Sequence, residues 1–171
     1  MRYVVILLVV LVAVYGVMMW YEQAGNAAEP PLTQAQLAAL PDGDLAILVT
    51  AGLSRRVFAP GAGRAAWRSL SVPAQQVWAL ALIETAISEQ GLATVIREHA
   101  VDDPAPSVAD AQAACMAQGL DEAAQALADA LATGVVLNAA QGRFRRALAQ
   151  PQAQAKRTAY LRQHLADLVA P

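Results

Sequence analysis

At 171 residues the chain is long enough for one core after an apolar leader is set aside, and its net charge of −2 is too small to mark a nucleic-acid partner or an acidic tail. Hydrophobic residues make up 57% and aromatics 5%, with Ala supplying much of the apolar share, a balance that favours helix packed closely on helix. The single cysteine, Cys115, excludes an internal disulfide and a cysteine-rich zinc site. With only His99 and His164 beside it, no metal or cofactor is expected.

Residues 3–21, YVVILLVVLVAVYGVMMWY, carry no charge and have the length of one membrane-spanning helix. Val and Ile are poor helix formers in water, but in lipid the backbone must bond internally and helix wins. Tyr3 at one end and Trp20 and Tyr21 at the other suit the interfacial belts. Arg2 precedes the run, Glu22 and Glu29 follow it, and the next base is Arg55. The positive-inside rule then puts the N-terminus in the cytoplasm and the rest outside. The rival is a signal peptide cleaved near Gly25-Asn26-Ala27. The run exceeds the usual ~7–15 residues of such a segment and closes on bulky Met18 to Tyr21, which favours a retained anchor. The expected division is an anchor over 1–21, a linker over 22–31 stiffened by Pro30-Pro31, and a helical domain over 32–171.

Thr33 and Gln36 have capping-box spacing and predict a short helix over 34–40. Pro41-Asp42-Gly43 reads as a turn, and a second helix is expected over 44–58, with Leu45, Leu48, Val49, Gly52 and Leu53 on one face. Arg55 and Arg56 complement the dipole at its C-terminal end. Pro60, Gly61 and Gly63 break the chain, without the Lys-Ser/Thr ending of a phosphate-binding loop. Trp67 and Leu70 are expected to staple this loop to the core.

Residues 71–91, SVPAQQVWALALIETAISEQG, predict the central helix. Between Val77 and Ile87 only Glu84 and Thr85 are polar, so the helix is apolar on nearly every side, yet too short to cross a bilayer. Ser71 can cap it and Pro73 is tolerated in its first turn. Glu84 lies on the side of Val77, Leu80, Ala81, Ile87 and Ser88, and a buried carboxylate must be hydrogen-bonded, paired or protonated. A structural Glu held by a backbone amide or an Arg is the simpler expectation. Gly91 breaks or kinks the helix, and a helix over 92–100 puts Leu92, Val95, Ile96 and His99 on one face. Across that bend His99 can meet Glu84, and the two are the candidate catalytic residues of a hydrolase.

Residues 101–107 read as an exposed loop. Ser107 and Asp110 predict a capped helix to Gln118, ended by Gly119. Cys115 shares a face with Val108 and Ala111 and is expected as a buried small hydrophobe, not a nucleophile. A helix over 121–132 should turn Leu120, Ala124, Leu127, Ala128 and Leu131 inward and end near Gly134, with residues 135–137 packing beyond.

The order of a Ser-led helix with internal Glu84, then Glu89-Gln90-Gly91-Leu92, a loop and ACMAQGLDEAAQALADAL resembles a bacterial helical family of unknown function. That family is related to the C-terminal domain of a DNA-mimic protein, and the likeness spans about residues 71–132. In the family a Glu-bearing helix runs into an Asn-Gly-Gly-aromatic turn, and a later helix ends at Gly before an Ala-rich helix. Gly91, Gly119 and the Ala-rich helix match, whereas Glu89 and Leu92 stand where the turn has its Asn and aromatic. The resemblance implies an all-helical fold and supplies no catalytic residue. It also makes the anchor a single pass of a bacterial inner membrane, with the domain facing the periplasm or the exterior. Between residues 84 and 129 there are nine acids and one base, Arg97. Acids spaced around helices ordinarily form a solvated face, so a cytoplasmic acidic DNA-mimic-like protein is the weaker expectation.

A helix through Gly142-Arg143-Phe144-Arg145-Arg146 should run to about Gln150, where Pro151 ends it or starts the next. The last helix is expected over 152–169, with Leu161, Leu165 and Leu168 on one stripe. From Arg143 to Arg162 the bases Arg143, Arg145, Arg146, Lys156, Arg157 and Arg162 meet no acid, and they form the candidate interaction face. It can dock on the acidic middle segment of the same chain, on a partner, or on anionic headgroups at about 1 kcal/mol per residue. Charge balance within the chain is the simplest of these. Nucleic acid is not expected, since the aromatic interleaving of single-strand platforms is missing. The sequence contains no nucleophile elbow, metal-ligand cluster or nucleotide loop. The expectation is therefore an all-α protein, a transmembrane helix followed by a compact multi-helix bundle, that acts by binding other proteins outside the cytoplasm. Hydrolysis by Glu84 and His99 is the alternative.

Overall fold

The computed structural model describes residues 33–59, 61, 66–98, 105–132 and 137–169. The expected anchor and linker lie outside the described residues. Among the described residues no helix is long and apolar enough to cross a membrane, and the regular structure is entirely helical. In chain order the helices are α1 (Gln34–Ala38), α2 (Asp42–Val57), a 3-10 turn (Ala66–Ser69), α3 (Val72–Gln90), α4 (Leu92–Glu98), α5 (Val108–Ala117), α6 (Asp121–Leu131), α7 (Leu137–Ala149), α8 (Pro151–Gln163) and α9 (Leu165–Val169).

Local chemistry sets most of the starts. Thr33 accepts from the Gln36 backbone N–H while the Gln36 side chain reaches back to Thr33, a complete capping box. Ser107 and Asp110 do the same for α5. Ser71 caps α3 with Pro73 in the first turn. The expected turn at Pro41–Gly43 is instead the start of α2. Pro41, at φ −58° and ψ 151°, is the N-cap, and Asp42 and Asp44 sit in the first turn, where their charge favours the helix dipole.

Two glycines set ends. After α5, Gly119 adopts φ +68°, the Gly119 N–H donates to Met116 O at 3.0 Å and the Leu120 N–H to Cys115 O at 2.8 Å. This is a Schellman closure, and it leaves Leu120 packed in the core. At the end of α3, Gly91 has φ +84° and ψ 153°, a region essentially confined to glycine. There the next N–H, that of Leu92, donates to Gln141 Oε1 of α7 at 2.8 Å.

The main core gathers α3, α4, α5, α6 and α7 around Leu80, Ile83, Ile87, Leu127, Phe144 and Leu148. Alanines at 111, 114, 123, 126, 130 and 140 fill the remaining contacts, so α5, α6 and α7 approach closely. Trp67 of the 3-10 turn and Leu70 just after it are buried; most of the loop they are expected to staple lies outside the described residues. Leu131, expected inward, is 42% exposed, because α6 turns Ala126 and Ala130 to its neighbours instead. The expected single closing helix splits at His164 (φ −109°, ψ 17°). That break lets Leu165 and Leu168 bury in the contacts α9 makes with α1, α2 and α3.

Replacing Gly91 with Ala should cost about 1–3 kcal/mol, since a side chain is strained at this φ, while the added Cβ would make only ordinary contact with Gln141 Oε1 at 3.5 Å. Urea unfolding of the G91A chain measures it, and a loss below a few tenths of a kcal/mol would contradict the strain.

Candidate functional site

The site residues read from the sequence fall on two surfaces. On the first, Glu84 of α3 pairs with Arg157 of α8 at 2.9 Å. Their side chains are 38% and 23% exposed respectively, so the carboxylate sits at the rim of the core and is not buried as the sequence suggested. His99 lies outside the described residues, so the Glu84–His99 pairing does too. Below the ion pair, Cys115 is fully buried. Burial pushes its thiol from 9.0 up to about 12, against a downward pull from Arg157 and with a smaller upward push from Glu84. A thiol so raised is no nucleophile. Beside Glu84 a groove of about 210 Å³ runs over Phe144 and Leu148, edged by Ser88, Arg145 and Gln154.

The second surface is the basic segment, and its side chains reach distant parts of the chain. Arg143 pairs with Asp129 at 2.7 Å. The Asp129 carboxyl is held below its ordinary value, first by the hydrogen bond from Gln125 and then by Arg143. Arg145 Nη2 donates to Ile87 O at 2.9 Å and Ser88 O at 3.2 Å, the last turn of α3. Lys156 donates to Gly119 O at 2.6 Å, over the closure of α5. Arg162 donates to Ala38 O, Leu40 O and Asp42, where α1 meets α2. Apart from Ile87 O, which also accepts from the Gly91 N–H, these are carbonyls that a helix end leaves without an intrahelical partner. Arg146 alone of the six has no hydrogen bond or ion pair among the described residues; it is exposed beside a groove shared with Glu122 and Gln125. The six therefore do not form one free face.

A third surface has no counterpart in the candidates read from the sequence. The outward side of α2 carries Ile47, 67% exposed, and its C-cap residue is Phe58, 70% exposed. Between them lie Ala51, exposed, and Ser54, half-buried. These four stand at i, i+4, i+7 and i+11, one stripe of a helix. Phe58 rests edge-on against Trp78, ring centroids 5.7 Å apart, and keeps the rest of its ring in solvent. At the stripe's two ends the exposed Asp44 and Arg55 make no hydrogen bond or ion pair among the described residues. The signal was in the sequence: the inward face of α2 does not account for Ile47 and Phe58.

Among the described residues no three His, Cys, Asp or Glu side chains gather where a metal could be held. Family models, curated proteins and solved structures include none that matches the chain.

Glu84→Gln should leave the fold intact and lower stability by no more than about 1 kcal/mol, as for a half-exposed ion pair; a urea series with R157A and the double variant measures the coupling. The Cys115 thiol should stay unreactive to an aromatic disulfide reagent at pH 8 until the chain is unfolded. Its pH effect has a definite sign. Between pH 9 and 12 the unfolded thiol has lost its proton and the folded one keeps it, so the folded state binds more protons and stability falls as pH rises. Relative to Cys115→Ala, the wild type should lose about 1 kcal/mol per pH unit from pH 9 upwards. A flat difference would show that the thiol titrates freely.

Proposed function

We propose that this chain is a membrane-tethered helical domain, held outside the cytoplasm, that acts by binding protein through the outer stripe of α2. The tether rests on the uncharged run at residues 3–21, its aromatic ends, and the placement of Arg2 before it and Glu22 and Glu29 after. The observation that carries the binding role is the pair Ile47 and Phe58. Two large apolar side chains at about two-thirds exposure, one on the helix and one at its C-cap, in line with each other, are what a docking face presents. The partner this stripe suits is a protein with an apolar helical face.

Other readings have less behind them. Glu84 is committed to Arg157, and Asp129 to Arg143, so acids of the middle segment are met by the chain's own bases. That weakens both a hydrolase centred on Glu84 and a dense negative face of the DNA-mimic kind. The likeness of residues 71–132 to a bacterial helical family stays within this proposal as a likeness of helical arrangement.

Two measurements test it. A phosphatase reporter fused after Pro171, active only outside the cytoplasm, should be active, and a silent fusion that accumulates in the cytoplasm would remove the tether. A photo-reactive residue at Ala51 should give a discrete protein adduct in intact membranes, and one at Gln125 on α6 should not. Equal yields, or none at Ala51, would remove the binding stripe.

A further inference from the structure

The stripe on α2 does more than expose apolar surface, because its charges are arranged to suit itself. Asp44 stands at the N-terminal end and Arg55 near the C-terminal end, both exposed and both on the same flank of the apolar line. A surface that is acidic at one end and basic at the other is complementary to its own copy turned end for end. That is the requirement of a two-fold, isologous interface.

We infer that the occupant of the α2 stripe is the α2 stripe of a second copy of this chain, packed antiparallel about a two-fold axis at Ala51. The inference rests on the proposed role of this stripe in protein binding and names its partner. With the axis at Ala51, Asp44 of one copy falls about three residues, ~4.5 Å along the axis, from Arg55 of the other, within reach of a guanidinium, and the symmetry makes the pair twice. Ala51 at the crossing is small and exposed. Helices of that profile close to ~8–10 Å between axes. Ile47 and Phe58 then lie on opposite sides of the crossing, each against the other copy, where Phe58 already has its inner edge fixed by Trp78. One helix pair is a small interface and gives a weak dimer in free solution. Two chains anchored in one membrane are held at a high effective concentration, which such an interface needs.

The test uses the full chain in lipid nanodiscs or vesicles, with Ala51→Cys and a short bis-thiol crosslinker; the native Cys115 is buried and silent. The wild-type background should give a covalent dimer. D44R and R55D should each cut its yield about tenfold, because each places like charges opposite one another. The double reversal D44R/R55D should restore it, and so should an equimolar mixture of D44R and R55D chains, in which every facing pair is again opposite in sign. Circular dichroism melts of each variant confirm that the helices persist. A dimer indifferent to both reversals, or one that neither combination restores, overturns the antiparallel two-fold arrangement. No dimer, with a photo-adduct at Ala51 of a mass other than twice this chain, overturns the self-association and leaves the proposed binding role standing. No dimer and no adduct overturns both.

Discussion

The constraint that the rest of this structure answers to is the helix C-terminus. The described residues hold many short helices, and each one ends in carbonyls that have no partner inside the helix. Here those carbonyls are met by side chains from far along the chain. Arg162 serves the end of α1, Arg145 that of α3 and Lys156 that of α5, while Gln154, only six residues on, serves Leu148 O of α7. Ser71 and Arg56 donate to Asp167 O and Leu168 O of α9, and Gln75 donates to Arg68 O and Leu70 O around the 3-10 turn. Each such bond ties two elements together as well as closing one. In a bundle packed on alanine, where single apolar contacts are small, that dual use fixes how the helices are placed.

The alanines and the long cations are two parts of one solution. Ala at 111, 114, 123 and 126 lets α5 and α6 approach closely, but gives little shape to set their register. Lys156 over the Gly119 closure and Arg145 over the last turn of α3 are directional, and they supply the register that small side chains do not. Gly91 shows the same coupling. Its φ of +84° turns the chain so that the Leu92 N–H meets Gln141, and one backbone angle thereby joins α3, α4 and α7. Ser71 performs both tasks at once, accepting from Ala74 N–H and donating to Asp167 O.

What the sequence disclosed follows from how far each interaction reaches. Caps act within three residues, so Thr33 with Gln36, Ser107 with Asp110, and Ser71 could be read directly, as could the glycine stops at 91 and 119. The break at His164 could not, because it depends on where Leu165 and Leu168 find their neighbours in α1, α2 and α3. The pattern around Glu84 said that its charge must be met. It could not say that Arg157, 73 residues away, would meet it, nor that the pair would sit at the core's rim. The basic run from Arg143 to Arg162 looked like one face because its charges are neighbours in sequence. In three dimensions they diverge to the ends of three different helices and to three acids, Asp129, Glu84 and Asp42.

Helix α2 is one place where folding needs do not account for the residues present, as exposed Val72 and Met116 are elsewhere. Its inward side, Leu45, Val49, Leu53 and Val57, is buried and sufficient to dock it. Its ends are closed by Pro41, by acids in the first turn and by bases in the last. Polar residues at 47 and 58 would satisfy all of this, and a solvated stripe would be the ordinary outcome. Ile and Phe stand there instead, with Ala51 and Ser54 keeping the line between them low and unbroken by charge. In the described fold the edge of Phe58 on Trp78 draws on that apolarity.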